Sequence, residues 1–319
     1  MDESGADTHK KISRRDFLEL TGVALGGYIA YRYDDVLTGL FGNEYDRFAE
    51  QAKSYLKTRY KLDVFVGLPE NDNIITGTNL NKYELSRGLG LVMEEIIKYP
   101  LDFFEKNGVT AIRFLNDVKI GGKDYYGGFA GLEGTIGIAY AARPFELQRE
   151  YFRAVFHHEL FHILDYKDGG FDQDNQQWRD LHQCGCQLYR EIGGRDNSEG
   201  AASSPIDWFL NDYGQRNPIE DRAEFGRFMM TPRLHQRLNQ RINDERDPKT
   251  RSILEDKYRL TVESYKKWSG GLMDEKYWKD LINGEVQEGY FSSRPKGELK
   301  SRARNISEAE GRAPRLRSG

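Results

Sequence analysis

Cysteine is scarce in this chain, which has only two among its 319 residues, Cys184 and Cys186. Two cysteines are too few for the disulfide framework of a small secreted scaffold. The nearby His182 invites a metal interpretation, but the sequence lacks the second cysteine pair that would complete a zinc cluster. We therefore interpret the two cysteines as an ordinary thiol pair or a local disulfide.

Strong net charge and internal repeats are also missing. The formal net charge is -4 at pH 7, which provides no overall electrostatic reason to expect a nucleic-acid partner. The mean hydropathy of -0.75 indicates a soluble chain. A local basic excess lies in residues 292–319, with eight Lys and Arg against three Glu. Because this segment has almost no large apolar residues, we expect a disordered tail.

No long apolar run is present near the N-terminus, where the apolar stretch ending at Tyr31 is too short and too polar for a confident membrane span. Arg14 and Arg15 precede it within residues 13–18, which match the pattern S-R-R-x-F-L. This resembles the twin-arginine (Tat) export signal, although a short amphipathic helix with a basic cap is the alternative. The resemblance implies recognition by the Tat machinery and an extracytoplasmic location in the periplasm, in the envelope or outside the cell. No clean Ala-x-Ala cleavage site follows, so an uncleaved membrane tether stays open.

Strand patterns come early in the chain and helix patterns come late. Strands are predicted at LDVFVG, VTAIRFLNDVKI and GTIGIAY, and a long helix from about Glu146 to Tyr166. Further helices are predicted from Asn43, from Leu85 to Ile97, and near 217–230, 232–243, 247–268 and 274–283. This order indicates an α+β fold. The chain divides into a signal and linker (1–42), one main domain (43–291) and the tail (292–319).

Three of the six histidines lie in FHHELFHILDY, residues 156 to 166. His158, Glu159 and His162 form the pattern H-E-x-x-H within a helix. Because residues four apart are separated by about 40° around a helix, the two histidines present their rings side by side, as one zinc ion requires. Glu159, rotated by about 100°, can reach zinc-bound water as a general base. A buried helix with hydrogen-bonded histidines is the alternative, and it would be costly without partners. We expect His157 to be structural.

A catalytic zinc site has three protein ligands and one open position. The candidate for the third ligand is Glu220, in NDYGQRNPIEDRAEFGRF, residues 211–228. Asn217, Pro218 and Glu220 also fit a helix start, so a capping carboxylate is the alternative for Glu220. Glu224 lies four residues further on the same face, where its carboxylate could orient a histidine ligand.

These motifs together resemble a known family. H-E-x-x-H-x-x-D, followed by Tyr-Gly and E-x-x-A-E, is similar to the catalytic domain of anthrax lethal factor and its gluzincin relatives, over residues 108 to 230. The matching positions are His158, Glu159, His162, Asp165, Tyr213, Gly214, Glu220, Ala223 and Glu224. Asp221 and Arg222 depart from the family, which has an aromatic pair at these positions.

The resemblance implies a zincin-like metallopeptidase domain with a small mixed sheet and a long active-site helix, followed by C-terminal helices. It implies one catalytic Zn²⁺, with Glu220 as the third ligand beside His158 and His162. Tyr213, seven residues before Glu220 (220 − 213 = 7), is implied to assist at the oxyanion. The resemblance also implies supporting roles around the ligands for Asp165 and Glu224.

These observations predict a zinc metalloendopeptidase that acts on a peptide or protein, with GTIGIAY as the edge strand along which an extended substrate pairs. The main alternative is a non-catalytic zincin-fold binding or scaffold protein of the cell envelope. Glu159 argues against it, because a structural zinc needs no base and prefers four protein ligands. A hydrolase of a small or cell-wall amide would use the same residues.

The export hypothesis makes the first testable prediction. We expect replacement of Arg14 and Arg15 by lysine to leave the protein in the cytoplasm of its own host, because the signal is read by a receptor rather than by its charge alone. Cell fractionation measures the outcome. Unchanged localisation to the envelope would contradict the hypothesis.

Overall fold

The computed structural model describes residues 34–68, 75–120, 123–124, 127–131, 133–140, 145–169, 177–178, 180–181 and 206–293. The export signal, both cysteines and the tail beyond residue 293 lie outside these ranges, so the predictions made for them stay predictions. Within the ranges, no helix has both the length and the apolar character needed to cross a membrane.

A six-stranded mixed sheet forms one layer of the described fold. Its strands are β1 (Asp63–Val66), β2 (Ile75–Thr78), β3 (Ala111–Ile120), β4 (Lys123–Asp124), β5 (Gly128–Ala130) and β6 (Thr135–Tyr140). The main order is β1-β3-β6-β5, with β2 and β4 also paired to β3. The pairs β1–β3 and β3–β6 are parallel, whereas β2, β4 and β5 run antiparallel to their partners.

Helices form the second layer and the C-terminal part. They are α1 (Asp34–Tyr60), α2 (Lys82–Ile96), α3 (Phe103–Lys106), α4 (Phe145–Lys167), α5 (Pro218–Met230), α6 (Pro232–Asp244), α7 (Pro248–Trp268), α8 (Glu275–Ile282) and α9 (Tyr290–Ser293). Asn81, Asn217, Asp247 and Asp274 each accept a hydrogen bond from the backbone N–H three residues on, which starts α2, α5, α7 and α8. The α+β class predicted from the sequence is confirmed.

The long helix α4 packs between the sheet and the C-terminal helices. Phe152, Phe156 and Leu160 of α4 are almost fully buried and share one core with Ile136 and Ile138 of β6. Alternate residues of a strand face opposite sides, so Ala139 of β6 joins a smaller cluster that also contains residues of β3. The H-E-x-x-H pattern therefore lies on a helix that is largely buried.

The prediction that GTIGIAY forms the edge strand is wrong. This segment is β6, which lies between β3 and β5 in the described sheet. In the described sheet the edge position belongs to β5. This strand lies in the glycine-dense segment GGKDYYGGFAGLEG, residues 121–134, where glycine content predicts a connection between two strands. The chain reverses between the two strands because Gly134 adopts φ of +88° and its N–H donates to the Gly131 carbonyl at 2.9 Å.

A glycine permits α5 to approach α4 closely. A Cβ added to Gly226 of α5 would lie 2.2 Å from the ring of Phe161 on α4. Gly226 is buried and Phe161 is 1% exposed, so neither side of this contact has solvent into which it could move. The separation of the two helices is therefore set by the absence of a side chain at residue 226.

We expect Gly226→Ala to lower the free energy of unfolding by about 1–3 kcal/mol, because the added methyl overpacks the α4–α5 contact. Gly90→Ala in α2 is the matched control, since its added Cβ would meet only Phe48 at 4.0 Å. Alanine there should be neutral or stabilise the helix by up to about 1 kcal/mol. Thermal and urea unfolding measure both variants. Equal stability of Gly226→Ala and the parent chain would contradict the packing argument.

Candidate metal centre

Two crossing helices supply the predicted metal ligands. α4 carries His158 and His162 one turn apart, so both rings project from the same face, and their centroids lie 4.6 Å apart. Glu220 lies in the first turn of α5, directly opposite. The Asn217 side chain accepts from the Glu220 N–H at 2.9 Å, so a different residue caps the helix while the Glu220 carboxylate reaches the histidines.

Three potential ligand atoms converge at the crossing. His158 Nε2 lies 3.0 Å from His162 Nε2 and 3.1 Å from Glu220 Oε2, and the last two atoms are 3.2 Å apart. Among the described residues, these three side chains form the group that could hold a metal ion. A tetrahedral zinc with bonds of about 2.0–2.2 Å places its ligand atoms roughly 3.3 Å apart. The observed triangle therefore has the size that a zinc ion requires.

The contact of His158 Nδ1 with a carboxylate indicates that the other ring nitrogen, Nε2, presents its electron pair to His162 and Glu220. His158 Nδ1 lies 2.9 Å from Glu224 Oε1, which places the ring proton on Nδ1 and leaves Nε2 with a lone pair. That lone pair faces a second imidazole nitrogen and a carboxylate oxygen. Three such groups within 3.2 Å of one another would suit a cation between them, and this ligand set suits zinc as well as iron(II).

The electrostatics of the cluster also favour a positive charge. Burial alone would lower the pKa of His158, but hydrogen bonds to the Glu220 and Glu224 carboxylates outweigh it and raise the pKa to about 10. Burial would raise the pKa of Glu220, yet its contacts with both histidines bring it well below the ordinary value. In the metal-free protein, a proton on His158 meets this demand. A bound divalent cation would replace it.

Glu159 lies in the same cleft and has a different environment. The cleft has a volume of about 350 Å³ and is lined by Glu159, His162, Glu220 and Tyr213 together with residues of β5. Glu159 is 6% exposed, and burial raises its pKa despite the opposing effect of the two histidines. A carboxylate with a raised pKa beside a metal position is suited to accept a proton at neutral pH.

A second glycine allows the sheet to reach Glu159. A Cβ added to Gly128 of β5 would lie 2.4 Å from Glu159 Cγ and 2.8 Å from its Oε1. The backbone of the edge strand therefore passes directly over the carboxylate. Gly128 was not among the site residues predicted from the sequence, because the glycine-dense segment around it reads as a connection.

Tyr213 lies beside the first histidine. Its ring centroid is 5.5 Å from that of His158, and the Arg216 guanidinium covers it at 4.2 Å. The loop that carries Tyr213 is tied to the supporting carboxylate by Asn211, whose side chain accepts from the Gly214 N–H at 2.9 Å and donates to Glu224. Asn211 was not among the site residues predicted from the sequence, although it is the first residue of the segment 211–228 that contains Tyr213.

Asp165 lies one turn after His162, and its Oδ1 is 2.6 Å from Arg222 Nη2. Both side chains are buried, so this ion pair joins α4 to α5 next to the ligands.

His157 lies on another face of α4. It hydrogen-bonds to Glu95 at 2.6 Å and to Tyr99 at 2.8 Å, and burial lowers its pKa in spite of the Glu95 carboxylate. These contacts agree with a structural role for His157.

No protein-family model matches the chain, and no curated protein matches it. Among solved structures, it is similar to a protein described as a "putative zinc-binding metallo-peptidase" from Bacteroides caccae, with 18% sequence identity and a TM-score of 0.49. The likeness covers 79% of this chain and 94% of that one. It is too distant to carry an inference about chemistry, which rests on the residues of this chain.

We expect protein purified without added metal to contain about one zinc ion per chain, and not iron, in elemental analysis. Glu220→Gln should lose most of this zinc, because a neutral amide is a poor ligand. Glu84→Gln is the matched control, since Glu84 also lies three residues after an asparagine cap and takes part in a capping box. It should cost at most about 1 kcal/mol of stability and keep the zinc.

A full zinc complement in Glu220→Gln, with a slightly lowered melting temperature, would instead support the capping role of Glu220. The third ligand would then have to be another residue.

Proposed function

We propose that this chain is a zinc-dependent metalloendopeptidase with a zincin-like domain of the gluzincin type. The observation that carries the proposal is the convergence of His158, His162 and Glu220 in a cleft that also contains the buried carboxylate of Glu159. A purely structural zinc has no use for such a base and usually has four protein ligands. The resemblance of these motifs to the catalytic domain of anthrax lethal factor agrees with this function.

A zinc ion held by the three ligands would supply a Lewis acid for the scissile carbonyl and lower the pKa of a water molecule toward about 7. Side chains of the protein carry out the proton transfers and hold the ligands in place. Glu159 accepts the proton of the attacking water and later donates it to the leaving amine, as its raised pKa allows. Glu224 holds His158 with Nε2 directed to the centre. Asp165 holds α5 against α4 through Arg222.

Two observations support a role for Tyr213 as an oxyanion donor. Its ring lies against His158, and it lines the same cleft as Glu159 and Glu220. We infer that its phenol donates a hydrogen bond to the carbonyl oxygen on which negative charge develops. A donor of this kind acts mainly on the transition state, so it contributes to kcat more than to substrate binding.

The substrate backbone would extend along β5. This strand is last in the described sheet order, and Phe129, Ala130 and Gly131 line the cleft beside the metal ligands. Main-chain pairing with an edge strand holds a peptide extended and is independent of its side chains. The close passage of Gly128 over Glu159 would bring the scissile bond next to the general base.

Export is a further part of the proposal. It rests on the match of residues 13–18 to the Tat pattern and gives the enzyme an extracytoplasmic location, with or without a membrane tether. A folded metallopeptidase suits this route, which moves proteins that have folded in the cytoplasm.

We expect the purified protein to cleave members of a diverse peptide library, to lose this activity with a chelator and to regain it with zinc. Glu159→Gln should lower kcat by about 10²–10⁴-fold, because it removes the base without removing a ligand. Zinc content and melting temperature of this variant should equal those of the parent, which makes them the internal control.

A parent protein that binds zinc yet cleaves no peptide would favour the scaffold alternative. If the protein cleaves small or cell-wall amides but no peptides, the same residues form the site of an amidase. Undiminished activity in Glu159→Gln would exclude it as the base.

A further inference from the structure

A buried ion pair lies immediately behind the third ligand. Asp221 follows Glu220 in the first turn of α5, and its Oδ2 accepts from Lys257 Nζ of α7 at 2.6 Å. Both residues are fully buried, with 0% exposure. Asp221 is one of the two positions at which the chain departs from the aromatic pair of the resembled family. Its partner lies beyond residue 230, outside the region of resemblance.

Polar and aromatic groups surround the two charged atoms of the pair. Lys257 Nζ also donates to the Trp208 carbonyl at 2.8 Å and lies 4.4 Å from the Phe209 ring centroid. The same Asp221 oxygen accepts from Trp178 Nε1 at 2.7 Å. Four separate segments therefore converge on two charged atoms, and one of those segments is the turn that presents Glu220.

A contribution to folding stability does not by itself explain a buried ion pair. Desolvation of two charges offsets most of their attraction, and replacement of a buried ion pair by uncharged residues of similar volume is often neutral or stabilising. A paired charge differs from an apolar contact in its geometry. It has one hydrogen-bonding position, whereas an apolar side chain can slide within its pocket.

The turn that carries Glu220 is joined to α4 by the ion pair of Arg222 with Asp165. The Glu220 side chain is 16% exposed, and the cap at Asn217 orders the first turn of α5 without joining it to another helix. The Asp221–Lys257 pair joins the same turn to α7, one residue from the ligand. Metal-ligand distances tolerate shifts of only about 0.2 Å, so a small displacement of this turn would weaken the site.

We propose that Asp221 and Lys257 are positioning residues that hold Glu220 at the metal centre. The proposal rests on the function proposed above, since it takes Glu220 as a zinc ligand. Neither residue touches the metal position. Loss of their charges should therefore lower zinc affinity without lowering the stability of the metal-free fold.

The test is the double variant Asp221→Asn/Lys257→Met, which removes both charges, keeps both shapes and leaves no unpaired buried charge. Zinc affinity is measured by competition with a chelator, and metal-free stability by thermal unfolding. We expect the zinc dissociation constant to rise by about 10–100-fold, as for other residues that orient ligands. The visible spectrum of the cobalt(II) form should change, while the metal-free melting temperature stays equal or rises.

Thr261→Val is the matched control on α7. Thr261 is buried one turn after Lys257, and its hydroxyl donates to the Lys257 carbonyl at 2.8 Å. The change removes a buried hydrogen bond of the same helix without altering the ion pair, so zinc affinity should be unchanged. If Asp221→Asn/Lys257→Met does not fold, Asp221→Asn/Lys257→Gln removes the same two charges, and the asparagine amide oxygen can still accept from Trp178 Nε1.

Zinc affinity within about twofold of the parent in a charge-free variant would overturn the positioning role and leave the proposed function intact. An equal loss of zinc affinity in Thr261→Val would also overturn the positioning role, because any disturbance of α7 would then weaken zinc binding. A parent chain that binds no zinc would overturn both proposals together.

Discussion

The candidate site depends on the close crossing of α4 and α5. The two histidines belong to one helix and Glu220 to the other, so the triangle of ligand atoms exists only while the helices keep their separation. Gly226 sets that separation by leaving room for the Phe161 ring, which would meet an added Cβ at 2.2 Å. A packing contact in the core thereby determines the distances from Glu220 Oε2 to the two histidines, which are 3.1 Å to His158 Nε2 and 3.2 Å to His162 Nε2.

The same crossing concentrates charge in the interior. Isolated buried charges are costly, and three carboxylates here have ion-pair partners: Asp165 has Arg222, Asp221 has Lys257, and Glu224 has Arg227 and His158. Glu159 has no such ion pair among its described contacts, and burial raises its pKa. These different surroundings suit the paired carboxylates to the support of ligands and Glu159 to the proposed transfer of a proton.

Much of this arrangement could be predicted from local sequence. The four-residue spacing of His158 and His162 determines their common face because a helix repeats every 3.6 residues. Asn217 and Pro218 predict the start of α5 by the same kind of local chemistry, and the later helices end close to their predicted bounds. These features involve residues within one or two turns, so their geometry follows from backbone rules alone.

The α+β class, the helix that carries H-E-x-x-H and the three ligand candidates therefore follow from the amino-acid sequence alone. Three other features follow only from the folded chain: β5 and not β6 is the edge strand of the described sheet, Gly128 lies over Glu159, and Lys257 pairs with Asp221. These depend on contacts between residues distant in the chain, such as Asp221 and Lys257, which are 36 positions apart. Packing of the whole domain selects such partners, and no local periodicity encodes them.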